Sequence, residues 1–166
     1  IYKKKFYDKR FSNDIEFDRY TEKSLGWSDL RVDYISPYFF EQYVSHYQRD
    51  IIPLLEETFS DVSAEINGWF SPYIIKYDKI GQKSDLHADV SQITLNIKLN
   101  NYYDGCELFF PRQNFNSKDI PVGHAMIWPS TVTHPHASTA LLNGIKYSFV
   151  SWTWPPNWSE NGIRNF

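Results

Sequence analysis

The chain has 166 residues, 42% hydrophobic and 18% aromatic, so it holds enough apolar material for one packed domain of ordinary size. Its formal net charge of −3, from 17 basic and 20 acidic residues, argues against a dedicated nucleic-acid binder. The single cysteine, Cys106, excludes an intramolecular disulfide and a Cys-rich zinc site.

Further exclusions come from the hydropathy pattern. No apolar run is long enough for a membrane span, and no signal peptide is visible, so a membrane partner is not expected. The chain begins with Ile, so residues can precede it; localisation is open, and a single Cys is compatible with the cytoplasm. There is no internal repeat or linker, which gives one domain over 1–166: an N-terminal extension at 1–35, a supporting helix at 36–60 and a barrel core at 68–155.

In chain order, IYKKKFYDKRF at the start is a locally basic stretch, expected to be solvated. Ser36-Pro37 is a helix start: Ser caps, and Pro suits the first helical position. Phe40, Tyr43, Val44, Tyr47, Ile51, Leu54 and Leu55 then recur at helical spacing, with Pro53 kinking or breaking the helix near its end. His46 in this helix is expected to be structural or exposed. From residue 68 the pattern changes to short strands. Tyr73 to Tyr77 is the first, and Ser91 to Leu99 alternates Ile93, Leu95, Ile97 and Leu99 against Thr94, Asn96 and Lys98. Cys106 to Phe110, His124 to Trp128 and Ile145 to Thr153 complete the series, with a polar loop at 112–119. One long helix followed by many short strands predicts a mainly β protein with flanking helices, a jelly-roll, cupin-like barrel.

Two segments carry chemistry, LHADVSQITLNIKLN and THPHASTALLNGIKYSFVSW. The first holds His87 and Asp89 as His-x-Asp. The second supplies His136, then Lys146 ten residues later and Ser148 two beyond. Two imidazoles and one carboxylate on one face of a metal make the facial triad of non-haem Fe(II) oxygenases. Three protein ligands leave room for a chelating 2-oxo acid and for O2. The distal carboxylate of 2-oxoglutarate needs a cation in a water-poor pocket, and Lys146 fits that need. Ser148 shares its strand parity and can serve the same carboxylate. His134 rivals His136 as third ligand, and the spacing to Lys146 favours His136. Asn96 either hydrogen-bonds the cosubstrate or lies on a polar outer face. Tyr77 either donates its phenol to the cosubstrate or packs in the core. His124 reads as structural, and Cys106 as a buried apolar residue.

From Ser36 to Pro155 the chain resembles the catalytic domain of procollagen lysyl hydroxylases, within the prolyl and lysyl hydroxylase superfamily. The matching features are Ile52-Pro53-Leu54 and Phe59, Lys76-Tyr77, HADVSQITLNIKLN, Asp104-Gly105, His134-Pro135-His136, Gly144-Ile145-Lys146-Tyr147, Val150-Ser151 and Pro155. The resemblance implies a double-stranded β-helix and hydroxylation of an unactivated C–H bond, with release of succinate and CO2. It implies Fe(II), 2-oxoglutarate and O2 as cofactor and cosubstrates, and ascorbate as a candidate reductant. It also implies that Asn96 and Tyr77 touch the cosubstrate, and that the substrate is a lysyl or prolyl residue of a polypeptide. A free amino acid or other small molecule is the alternative substrate, and a barrel that binds metal or peptide without turnover is the alternative function. The chain departs from the lysyl hydroxylases at Lys146, where they carry Arg and prolyl 4-hydroxylases carry Lys; the two cations are not interchangeable. It departs again at Trp128-Pro129-Ser130, where the family has His-Pro-Gly. Residues 1–35 match nothing in this pattern, and oligomeric state is not legible.

Overall fold

The computed structural model describes residues 18–19, 27–59, 70–130 and 133–153. The basic stretch at 1–11, the outer limits of the expected core at 68–69 and 154–155, and Pro155 lie outside these. Twelve strands are present among the described residues. They are β1 (Asp18–Arg19), β2 (Ser28–Arg31), β3 (Phe70–Tyr77), β4 (Ser84–His87), β5 (Ile93–Lys98), β6 (Tyr103–Gly105), β7 (Leu108–Phe110), β8 (Phe115–Asn116), β9 (Ala125–Pro129), β10 (His136–Ser138), β11 (Leu141–Gly144) and β12 (Lys146–Thr153). A larger sheet runs β1-β2-β3-β12-β5-β9, a smaller one β4-β10-β7-β8, and β11 pairs with β6. Every pairing is antiparallel. The result is a double-stranded β-helix with helices on one side.

The helix expected as one piece over 36–60 is divided. Ser36 caps as anticipated, its Oγ accepting from the Phe39 N–H at 3.2 Å, and α2 runs Pro37–His46 after a short α1 at Val32–Ile35. A π-turn at Tyr47–Ile51 follows, and α3 spans Ile52–Thr58. Pro53 falls in the first turn of α3, where a missing N–H costs no hydrogen bond, so the widened turn absorbs the break that Pro53 would force on a continuous helix. A second departure concerns β2. It lies inside the stretch expected to be an extension, yet it pairs with β3 over four residues, Ser28↔Lys76 to Arg31↔Tyr73. Four residues are too few to display a period, so this edge strand left no signal.

The larger sheet has two unlike faces. Ile93, Leu95 and Phe149 point to the helices and pack with Val32, Tyr43, Tyr47 and Leu55. Phe149 meets Tyr43 edge-to-face with centroids 4.8 Å apart, and the Tyr47 phenol hydrogen-bonds Thr153 at 2.7 Å in the interior. Burying each such side chain contributes about 1.5–3 kcal/mol, so this face carries much of the stability. The opposite face presents Thr94, Asn96, Lys146 and Ser148, all buried, to a cleft shared with the smaller sheet. The alternation in β5 is therefore not core against solvent. Both faces are covered, one apolar and one polar, and only Leu99, just past the strand, is exposed.

Candidate metal centre

His87 and His136 are direct partners across β4 and β10, which places their imidazoles side by side with centroids 4.5 Å apart. The register of these strands is pinned by two serines. The Ser84 N–H donates to Ser138 Oγ at 2.6 Å, and the Ser138 N–H donates to Ser84 Oγ at 2.7 Å, spanning the bulge between the strands. Asp89 lies in the turn two residues after His87 and returns its carboxylate to the pair. Its Oδ1 is 3.5 Å from His87 Nε2 and its Oδ2 3.7 Å from His136 Nε2. One donor atom from each of the three residues falls within 4.8 Å of the others, a spacing that one cation can bridge.

The hydrogen bonds around the centre fix which atoms face inward. His87 Nδ1 is 2.7 Å from the Asp85 carbonyl, and His136 Nδ1 is 3.0 Å from the His134 carbonyl. A carbonyl only accepts, so each Nδ1 carries a proton, which leaves each Nε2, on the side of Asp89, as the atom available to a metal. Burial lowers the His136 pKa, which favours the neutral imidazole that a metal requires. For His87 the hydrogen bond with Asp89 dominates and raises the pKa; a metal ion in the position of that proton would take over the pairing. Burial pushes the Asp89 carboxyl upward, but His87, the charge of His136 and the Thr94 hydroxyl outweigh it and hold the group below the ordinary carboxylate value. Two imidazoles with Nε2 available and one ionised carboxylate suit Fe(II), so the residues present fit the implied metal.

Phe110 stacks on His136 at 5.2 Å, and Trp128 meets it edge-on at 5.1 Å, so aromatic rings pack against this imidazole. His134, the rival ligand, is not part of the cluster. Its Nδ1 is taken by Thr133 Oγ1 at 2.8 Å. His46 and His124 are exposed, and His46 pairs with Asp50 on the helix surface.

The structure brings Lys146, Ser148, Asn96 and Tyr77 to the same cleft as the three metal-ligand candidates. Lys146 pairs with Tyr77 across β12 and β3 and is only 5% exposed. Its Nζ donates to the Cys106 carbonyl at 2.6 Å and stands 5.4 Å from the Tyr77 ring and 5.9 Å from that of Tyr103. No carboxylate forms an ion pair with it among the described residues. Burial lowers the Lys146 pKa, as expected for an ammonium without an anion. Ser148 Oγ is buried with no hydrogen-bond partner. A buried cation without an anion, beside a buried hydroxyl without a partner, fits the distal carboxylate of a diacid such as 2-oxoglutarate. Cys106 is buried and takes φ +58° after Gly105 at φ +74°; this consecutive left-handed pair replaces the start of the expected strand at 106–110. Burial also raises the Cys106 pKa, so the thiol stays neutral and behaves as an apolar side chain.

Sequence reasoning missed five hydroxyls, those of Ser84, Ser91, Thr94, Ser130 and Ser138. Two of them had a signal, Ser138 because it shares strand parity with His136 and Thr94 because it shares parity with Asn96. The others depend on which strands meet, a fact that local pattern does not carry.

No family model matches the chain. Mouse procollagen-lysine,2-oxoglutarate 5-dioxygenase 1 is 27% identical over 147 residues, covering 86% of this chain and 17% of that protein. A multifunctional procollagen lysine hydroxylase and glycosyltransferase of Caenorhabditis elegans is 29% identical over 122 residues, covering 71% and 16%. The chain thus spans about a sixth of the length of the curated relatives it matches. Among solved structures, an oxidoreductase of the 2OG-Fe(II) oxygenase family from Burkholderia pseudomallei superposes with a TM-score of 0.60 at 13% identity, over 80% of this chain and 67% of that one. A Pseudomonas putida prolyl-4-hydroxylase gives 0.59 at 14% identity, over 83% and 78%. The fold is that of the Fe(II)- and 2-oxoglutarate-dependent oxygenases. Within that fold, the sequence resemblance is to the procollagen lysyl hydroxylases.

Proposed function

We propose that this chain is an Fe(II)- and 2-oxoglutarate-dependent dioxygenase that hydroxylates an unactivated C–H bond of a lysyl or prolyl residue in a polypeptide. The observation that carries the reading is the pairing of two features in one cleft: the His87–Asp89–His136 cluster, and an anion-seeking Lys146 with an unpartnered Ser148. When bound, iron with 2-oxoglutarate supplies the oxygen-activating chemistry that oxidises the C–H bond, with succinate and CO2 as co-products.

The protein's own part is to orient and to exclude water. His87 and His136 offer Nε2 lone pairs because backbone carbonyls hold their Nδ1 protons. Lys146 and Ser148 would hold the far carboxylate of 2-oxoglutarate, and Asn96 and Tyr77 line the same cleft. Phe110 and Trp128 pack on the His136 ring and shield it. The reading of a polypeptide substrate is supported by the resemblance to enzymes named for procollagen lysine. The test is incubation with Fe(II), 2-oxoglutarate and a panel of lysyl- and prolyl-containing peptides, following succinate and product mass. Succinate formation with a product heavier by one oxygen atom supports the proposal. Oxidation only of free amino acids would move the substrate to small molecules, and no succinate under any condition would leave a binding barrel without turnover.

A further inference from the structure

Asp89 is held by more than the two histidines. Thr94 Oγ1 donates to Asp89 Oδ2 at 2.6 Å, and behind Thr94 lie two more hydroxyls. Ser130 Oγ is 2.7 Å from Thr94 Oγ1, Ser91 Oγ is 2.9 Å from Ser130 Oγ, and Ser91 Oγ is 3.1 Å from Thr94 Oγ1. The three are fully buried, at 0%, 1% and 0% exposure for Ser91, Thr94 and Ser130, so water does not compete for their protons.

Proton counting gives this cluster a direction. An ionised carboxylate only accepts, so the single Thr94 proton is committed to Asp89 Oδ2. The Thr94 oxygen must then accept from a neighbour. If Ser91 donates to Ser130, the Ser130 proton is left for Thr94; if Ser91 donates to Thr94 instead, Thr94 still accepts. In either arrangement the serines lock the Thr94 hydroxyl with its proton toward the carboxylate. Ser130 is itself fixed by its N–H on the Gln92 carbonyl at 3.0 Å, and Gln92 by its N–H on the Thr153 carbonyl at 2.8 Å. The anchor of Asp89 therefore reaches β12 and the rigid larger sheet.

We infer that Ser91, Thr94 and Ser130 are positioning residues that occupy Asp89 Oδ2 and leave Oδ1 as the single oxygen offered to the metal. This rests on the metal-centre reading above. Its consequence is specific. Without the hydroxyl donor, the Asp89 carboxylate loses the hydrogen bond that orients it, so Oδ1 is no longer held in place for the metal.

The test uses Co(II) as a spectroscopic stand-in for iron in the whole chain, with no turnover needed. Thr94→Val keeps the shape and removes the donor; Ser130→Ala removes the support behind it. The dissociation constant for Co(II), the d–d absorption of the complex and the melting temperature of the metal-free chain are measured for each. The expected result is a dissociation constant raised roughly 10- to 100-fold in Thr94→Val, the range for outer-shell partners of metal ligands. The absorption should change with it, and Ser130→Ala should move both quantities in the same direction by less. If either variant loses only melting temperature while its Co(II) affinity and absorption match the unsubstituted chain, the hydroxyls are structural and the inference fails. Should Thr94→Val not fold, Ser130→Ala decides by the same criteria. His136→Ala separates this failure from that of the metal reading. If the unsubstituted chain does not bind Co(II), or His136→Ala binds it equally well, the metal centre itself is wrong and the inference falls with it.

Discussion

Replacing Lys146 with Met separates cosubstrate binding from metal binding. Met keeps most of the volume and the unbranched stem but removes the charge, so the fully formed sheet around it should survive. In the free protein Lys146 is a buried ammonium with one carbonyl acceptor, two aromatic rings nearby and no counter-ion, an arrangement that costs stability. With a diacid bound, its carboxylate would receive the Lys146 ammonium and the Ser148 hydroxyl together. A hydrogen bond to a charged group contributes about 1.5–3 kcal/mol, which corresponds to about one to two orders of magnitude in the Michaelis constant for 2-oxoglutarate. Lys146→Met should therefore raise that constant by this factor while leaving Co(II) affinity unchanged, since the Lys146 ammonium is engaged by the Cys106 carbonyl and is not a candidate ligand. Lys146→Arg should keep part of the binding, because the pocket is shaped around an ammonium and not a planar fork. The assay is a 2-oxoglutarate titration at saturating iron, backed by a thermal shift. Saturating 2-oxoglutarate should stabilise the unsubstituted chain and not Lys146→Met. An unchanged 2-oxoglutarate dependence in Lys146→Met would refute the assignment and place the cosubstrate elsewhere.

How much of this was legible in the sequence varies residue by residue. Strand parity was enough to put Lys146 and Ser148 on one face of β12, because alternation is a local property of extended chain. The same parity put Thr94 and Asn96 together on β5, but it could not say what lay above them. Both faces of β5 are buried, and only the docking of the smaller sheet makes the polar face an interior one. The Ser36 cap was legible because capping depends on three or four adjacent residues. The π-turn was not, since it answers to the combined demands of Pro53 and the packing of Tyr47 under the larger sheet. His87 and Asp89 stood out as a short motif, whereas the Ser91–Thr94–Ser130 cluster joins residues up to 39 positions apart and exists only after β5 and β9 pair.

The remaining predictions test the centre, the cosubstrate and the frame that holds them. His87→Ala, Asp89→Ala and His136→Ala should each abolish activity and weaken metal binding, whereas His134→Ala should do much less; calorimetric metal titration reads this, and an inactive His134→Ala with an active His136→Ala would exchange the two. N-Oxalylglycine, a 2-oxoglutarate isostere that resists decarboxylation, should compete with 2-oxoglutarate in steady-state inhibition, and a non-competitive pattern would count against the diacid pocket. Tyr47→Phe removes the buried phenol bonded to Thr153 and should cost about 1 kcal/mol, seen as a lower urea midpoint at constant m. The two faces of β12 give the sharpest contrast, since Ser148 and Phe149 are adjacent yet serve opposite sides of one sheet. Phe149 packs on Tyr43 within the helix-facing core, so Phe149→Ala should destabilise the fold by about 3–5 kcal/mol. Ser148 makes no hydrogen bond in the free protein, so Ser148→Ala removes nothing the fold uses and should leave the urea midpoint nearly unchanged or slightly raised. Its effect should appear only when 2-oxoglutarate binds, as a Michaelis constant higher by about one order of magnitude, the equivalent of one hydroxyl hydrogen bond to a carboxylate of about 1.5 kcal/mol. If Ser148→Ala instead destabilises the free chain and leaves 2-oxoglutarate binding intact, the cleft-facing side of β12 is ordinary core, and the functional division of the sheet is mistaken.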